Sequence, residues 1–281
     1  MNSYSREDAE NKPPPVPQGT SSSPGTMILF VSDMHFGRGS RAEERANEAA
    51  LTACLRSFDA TVEGLYLVGD VFDEYIEYGR LVPKGFVRFQ AFLAEWTDRG
   101  VPVTYLVGNH DPWHGTYFEQ ELGVRIILDD LVETLHGRTV HLAHGDGIAQ
   151  SNRTYRRLKP WLRHPVPVRL YKAILPADSG LRLARWVNRR FGDRNINLSV
   201  VEDLRAHARR ILTDTDAEVV VMGHSHHPEM YLWPEGVYLN LGGWSEARTF
   251  ACLDADGLRL LRWNGEQAVT VDEEPSTESE T

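Results

Sequence analysis

Five short apolar runs in this chain each pass directly into a cluster of Asp, Asn, His and Gly. Met27–Val31 leads to Asp33-Met34-His35, and Leu65–Val68 to Gly69-Asp70-Val71-Phe72-Asp73. Val103–Val107 leads to Gly108-Asn109-His110-Asp111, Thr139–Ala143 to His144-Gly145-Asp146, and Val219–Met222 to Gly223-His224-Ser225-His226. Continuous aliphatic and β-branched runs of this length read as strands buried on both faces. Longer amphipathic stretches separate them. Arg41–Phe58 and Lys84–Arg99 read as helices, the second with Phe86, Phe89, Leu93 and Trp96 on one face and Gly100 and Pro102 as its stop. Leu198, Val201, Leu204, Ile211 and Leu212 mark another before the fifth strand. This alternation predicts an α/β fold. Ligands of such sheets bind beyond the carboxyl ends of the strands, so the five clusters are expected to share one crevice.

Two aspartates, one asparagine and four histidines would meet there. Mixed oxygen and nitrogen donors without sulfur suit Mn2+, Fe2+, Zn2+ or Co2+. Seven donors are too many for one catalytic ion with an open position. They suit two ions roughly 3.5–4 Å apart that share a bridging carboxylate. Any one of these histidines alone reads as an ordinary surface or core residue. Five clusters at five strand ends make coincidence improbable.

The chain has only two cysteines, Cys54 and Cys252, which excludes a disulfide framework and a thiolate zinc cluster. Its longest apolar run is far short of a membrane span, and no signal-peptide core precedes the first strand, so a reducing cytoplasm is expected. Residues 1–26, rich in Pro and Ser, read as a disordered extension with Met27 a candidate start, and 271–281 as a disordered acidic tail. Residues 27–150 and 196–270 form the expected core. The formal net charge is −10, yet Arg153–Arg194 holds 12 basic residues against Asp178 and Asp193. A segment this one-sided marks a surface that meets something anionic.

The motifs Asp-X-His, Gly-Asp-X-X-Asp, Gly-Asn-His-Asp, His-Gly-Asp and Gly-His-X-His, in this order, resemble the calcineurin-like metallophosphoesterase superfamily. The resemblance implies a four-layer α-β-β-α sandwich and a dinuclear centre that activates a hydroxide. One ion would take Asp33, His35, Asp70 and His226, the other Asp70, Asn109, His144 and His224. Mn2+ is the first expectation, with Zn2+, Fe2+ and Co2+ compatible. His110 and Asp111 would be catalytic, His110 by stabilising charge on the phosphoryl group or leaving oxygen. Asp73, Asp111 and Asp146 are candidates to orient ligands, and each could instead cap a turn, the two readings being about equal for Asp146.

The first three gaps between the metal motifs are 37, 39 and 35 residues, and the gap from His144 to His224 is 80. The excess forms an expected helical cap at 151–195, with Leu158, Trp161, Leu162, Leu170, Ile174 and Trp186 interleaved among its Arg and Lys, and with Pro160, Pro165, Pro167 and Pro176 breaking it into short helices. A cap both apolar and basic suits an amphiphilic anion at a membrane surface. With Val82-Pro83-Lys84-Gly85-Phe86 and Leu239-Asn240-Leu241-Gly242-Gly243-Trp244, the chain resembles the UDP-2,3-diacylglucosamine pyrophosphatases of lipid A biosynthesis, in their Bacteroidetes-type form. The resemblance implies hydrolysis to 2,3-diacylglucosamine 1-phosphate and UMP, peripheral to the cytoplasmic face of the inner membrane. Asn109, His110, His224, Asn152 and Tyr155 would contact this UDP-linked diacylated glucosamine lipid. Many of these pyrophosphatases carry Arg where this chain has His110, which leaves open another nucleotide or phospholipid substrate. A non-catalytic scaffold of the same fold is the reading from a different class, and the intact ligand set speaks against it. The negative charge outside the cap speaks against nucleic acid, and no protein partner is inferred.

Overall fold

In the computed structural model, residues 26–149, 153–191 and 198–271 are described. Residues 1–25 of the expected extension over 1–26 and 272–281 of the expected tail over 271–281 lie outside them, as do Asn152 and the segment 192–197. The chain runs β1 (Met27–Val31), α1 (Arg41–Arg56), β2 (Val62–Val68), α2 (Val87–Asp98), β3 (Val103–Leu106), α3 (Tyr117–Leu122), β4 (Arg125–Ile127), β5 (Leu131–Leu135) and β6 (Arg138–Ala143). Three helices follow: α4 (Arg153–Arg163), α5 (Pro165–Ile174) and α6 (Ala177–Phe191). It returns through α7 (Leu198–Asp214), β7 (Val219–Met222), β8 (Glu229–Trp233), β9 (Gly236–Asn240), α8 (Trp244–Ala247), β10 (Thr249–Asp254), β11 (Gly257–Trp263) and β12 (Ala268–Thr270).

The strands form two sheets, ordered β12-β11-β10-β1-β2-β3-β4 and β5-β6-β7-β9-β8. Strands β1 to β4 are mutually parallel, as are β6, β7 and β9. Successive side chains on a strand point to opposite faces, so each central strand feeds two cores. Ile28 and Phe30 join Val140, Leu142, Val219 and Val221 between the sheets. Leu29 and Val31 pack with Leu51, Phe89 and Trp96 under α1 and α2. On the far side Val220 and Met222 pack with Leu204, Ala208 and Leu212 of α7. Three cores separate four layers, helix, sheet, sheet and helix, as the resemblance implied.

The helix predicted over Lys84–Arg99 begins three residues later. Gly85 and Phe86 have φ of 120° and 53°, which a helix cannot continue. This turn lets the Phe86 ring stack on Phe36 at 4.8 Å. In the insertion, the helix breaks fall at His164-Pro165 and Leu175-Pro176. Pro160 and Pro167 do not break a helix. Pro167 sits in the first turn of α5, where an N–H has no intrahelical partner to lose. Pro160 lies inside α4, whose flanking residues Lys159 and Arg163 are tied to the core by ion pairs.

Phe30 is fully buried between the sheets and stacks on Tyr66 at 5.3 Å. Phe30→Ala should lower stability by about 3–5 kcal/mol, because a cavity remains where two rigid sheets cannot collapse. Denaturant unfolding should show a lower midpoint with unchanged slope.

Candidate metal centre

The parallel strands β1, β2 and β3 of one sheet and β6 and β7 of the other end on the same rim of the sandwich. The loops that follow bring Asp33, His35, Asp70, His110, His144, His224 and His226 together. Asp33, His35 and His226 form one group of donors, and Asp70, His144 and His224 another, each within 4.8 Å. Nε2 of His226 lies 3.2 Å from Asp33 Oδ1 and 3.0 Å from His35 Nε2. Asp70 sits between the groups, its Oδ2 being 3.8 Å from His35 Nε2 and 3.3 Å from His144 Nε2. Asn109 follows Gly108 and precedes His110, and both of those neighbours touch Asp70.

The backbone is strained to make this approach. Asp33, His35, Asp70, His224 and His226 all have φ between 46° and 68°, a left-handed region that side-chain-bearing residues seldom adopt. Hydrogen bonds hold it there. Asp70 Oδ1 accepts the His110 N–H at 2.9 Å, and Asp33 Oδ2 accepts the His224 N–H at 3.0 Å. Gly108 is required because a Cβ would fall 2.0 Å from Asp70 Oδ1, and Gly69 because one would fall 2.3 Å from the His144 ring.

His144 and His226 are each oriented by their other nitrogen. His144 Nδ1 lies 2.9 Å from the Val68 carbonyl oxygen, an acceptor only, so Nδ1 carries a hydrogen and, once the imidazole is neutral, Nε2 is the nitrogen with a lone pair for a cation. His226 Nδ1 lies 3.1 Å from Glu246, and His35 Nδ1 3.5 Å from Asp73. Asn109 Oδ1 is buried with no hydrogen-bond partner among the described residues. Buried acceptors without donors are costly unless something cationic meets them, so the residues present fit a pair of divalent cations.

Protonation follows the same geometry. Burial alone would raise Asp33 and Asp70, but the histidines around them hold both carboxyls well below the usual range. Burial pulls His144 and His226 down. Asp70 and Asp33 more than reverse this, and both imidazoles are pushed up to about 10. His224, desolvated and beside cationic His144, is held at about 4.

His110 lies against the cluster, Nε2 at 4.0 Å from Asp70 Oδ2, with Nδ1 2.9 Å from the Asp73 carbonyl oxygen. Asp111 is fully buried and does not face the cluster. It accepts N–H bonds from Gly108 at 2.7 Å and Phe72 at 3.2 Å, and the Tyr105 hydroxyl, joining the loops that carry Asp70 and Asn109. Tyr155 donates its hydroxyl to Asp146 at 2.8 Å. Sequence reasoning did not single out Glu246, which orients His226, Tyr105, which holds Asp111, or Ser245, whose hydroxyl donates to the Asp33 carbonyl at 3.0 Å. Glu246 and Ser245 follow the Gly242-Gly243-Trp244 segment, and that glycine pair was the available signal.

A family model described as calcineurin-like phosphoesterase matches residues 26–228. A Porphyromonas gingivalis protein named UDP-2,3-diacylglucosamine hydrolase is 30% identical, covering 84% of this chain and 97% of its own. A Pseudomonas syringae protein of the same name is 29% identical, with 83% and 94% covered. Among solved structures, a phosphoesterase from E. coli aligns with TM-score 0.45 and 17% identity over 87% of this chain and 97% of that one.

Metal ligation needs neutral imidazoles, while metal-free His144 and His226 are cationic at pH 7. Loading with Mn2+ at pH 7 should release roughly two protons, one from each. Calorimetry in buffers of different ionisation enthalpy reads that number, and apparent affinity should climb with pH toward about 10. Asp70→Asn should leave fewer than the roughly two ions of a dinuclear centre, by elemental analysis of the folded protein, and abolish turnover.

Proposed function

The chain belongs to the calcineurin-like phosphoesterase family, and from that premise we propose that it cleaves the pyrophosphate of UDP-2,3-diacylglucosamine to 2,3-diacylglucosamine 1-phosphate and UMP. Relatives aligned over nearly their whole length carry the name of that hydrolase, which supports the substrate. Asp33, His35, Asp70 and His226 would hold one divalent cation, and Asp70, Asn109, His144 and His224 the other, Mn2+ being the first candidate. When bound, two such ions would supply charge to neutralise phosphoryl oxygens and to lower the pKa of a water. His110, held by the Asp73 carbonyl, keeps its Nε2 on the Asp70 side, where it can meet a phosphoryl or leaving oxygen. Asp111 acts through the loops it joins and positions Asn109 and His110.

The observation that carries the substrate reading is the orientation of the insertion above this cluster. Leu158 and Leu162 on α4, and Val166, Leu170 and Ile174 on α5, every fourth residue within each helix, are all exposed, and no residue of α5 is buried. Trp161 is 67% exposed and Trp186 59%. In a soluble helix the apolar stripe turns inward. Here it turns outward while Lys159 and Arg163 turn toward the core. An outward apolar face flanked by exposed Arg157 and Arg169 suits an interfacial position, apolar side in the acyl region and cations at anionic headgroups. No helix among the described residues is long and apolar enough to cross a membrane. Attachment is therefore proposed as peripheral, on the cytoplasmic face of the inner membrane where a UDP-linked lipid is presented. Another nucleotide or phospholipid substrate is the second reading, favoured by His110 where many of the pyrophosphatases carry Arg, since imidazole cannot grip phosphate bidentately.

With Mn2+ supplied, kcat/KM for UDP-2,3-diacylglucosamine should exceed that for its deacylated analogue by at least roughly a hundredfold, each buried CH2 contributing about 0.8 kcal/mol. Equal values would sink the lipid assignment and favour the second reading. Binding to phosphatidylglycerol vesicles should weaken as salt rises, exposed charges being screened over about 8 Å at physiological ionic strength. Leu170→Gln with Ile174→Gln should weaken that binding further.

A further inference from the structure

Asp146 ties α4 to the metal loops, and the Arg185–Glu74 pair at 3.0 Å holds α6. Asp146 follows His144-Gly145 and its carboxylate is buried. Along α4, Tyr155, Lys159 and Arg163 recur every fourth residue and so lie on one face. All three converge on Asp146. The Tyr155 hydroxyl donates to Oδ2 at 2.8 Å, Lys159 Nζ lies 3.0 Å from Oδ2, and Arg163 Nη2 reaches both oxygens at 3.2 and 3.1 Å. Lys159 also donates to the Asp146 carbonyl at 2.9 Å.

Arg163 extends the tie. Its guanidinium donates to the Leu128 carbonyl, lies 3.4 Å from Asp129, and comes within 3.5 Å of the Gly108 carbonyl beside Asn109. Three loops of the core thus meet one helix face. Charge-assisted bonds to a buried carboxylate are the strong class, and they fix orientation as well as position. The opposite side of α4 offers the core no apolar packing from Leu158, Trp161 and Leu162, whose side chains are exposed, though the Leu162 carbonyl accepts the Trp113 indole N–H at 2.6 Å. The polar stripe is what seats this helix.

We propose that Asp146, Lys159 and Arg163 form a latch that seats the insertion over the metal centre, making Lys159 and Arg163 positioning residues for the acylated end of the substrate. The substrate half of this proposal rests on the lipid reading above. The latch itself does not. Neither cation belongs to the metal cluster, so the latch governs where the lipid-facing helices stand and not the chemistry at phosphorus.

The test uses Lys159→Gln, Arg163→Gln and the double variant of the full chain, loaded with Mn2+, with Arg156→Gln as a control on the same helix. Hydrogen exchange of α4 amides should accelerate in the two singles, more in the double, and not in the control. KM for the diacylated UDP-sugar should rise roughly tenfold per lost charge-assisted bond. Turnover of a small chromogenic diester and bound Mn2+ should stay within about twofold of wild type. Restoring charge with Arg163→Lys should recover part of the KM. Unchanged exchange in the double variant would overturn the latch, and so would diester turnover or metal content falling in step with the lipid activity. If wild type fails to prefer the acylated substrate, the lipid reading falls, while the exchange result still decides whether the latch exists.

Discussion

The Asp70 carboxylate is the point on which this architecture turns. It is buried at the seam between the sheets, with an N–H from the His110 loop on one oxygen and the imidazoles of His35, His110 and His144 around the other. A buried anion is tolerable only when fully compensated. Its compensation comes from three strand ends, so β1, β3 and β6 must stop where they do. The glycines on both sides of it follow from the same demand. The left-handed backbone of Asp33, His35, His224 and His226 is the conformational cost, carried by a scaffold with three apolar cores behind it.

The insertion reverses the usual logic of a surface helix. A soluble amphipathic helix gains stability by burying its apolar stripe, whereas α4 buries charge and α5 buries no residue. Within the protein, electrostatics hold this segment where hydrophobic burial ordinarily would. The exposed apolar stripe is left for an apolar partner. Such a division separates two tasks in one chain: a strained, rigid rim holds charged donors for phosphoester chemistry, and a charge-fastened cover presents an apolar surface beside it.

The juxtaposition of the candidate donors was largely legible in the sequence. These residues sit where apolar runs end, and a strand's period and length follow from local pattern. Helix starts were less legible: α2 begins after Phe86 because a left-handed turn brings that ring onto Phe36, a contact between residues 50 apart. Pro160 was read as a break because local rules penalise it, and the ion pairs of Lys159 and Arg163 across to Asp146 are not visible from within α4. Glu246 was not singled out because its partner His226 is brought near only when α8 packs against the β1 loop.

By itself, then, the sequence determined the α/β alternation, the five strand ends that carry the donors and the set of donors, because each follows from periodicity and residue type over a few neighbours, whereas the four layers came only as what the resemblance implied. It also determined that a basic, apolar segment is inserted before the last two histidines. Only the tertiary structure decided which nitrogen of each histidine faces the cluster, since that depends on a carbonyl or carboxylate from a distant strand. Only it decided that Asp111 joins two loops and that Asp146 fastens the insertion. A single aspartate reads alike in sequence whether it caps a turn, orients a ligand or pairs with a helix. Its partners are fixed by long-range packing, and so its role is too.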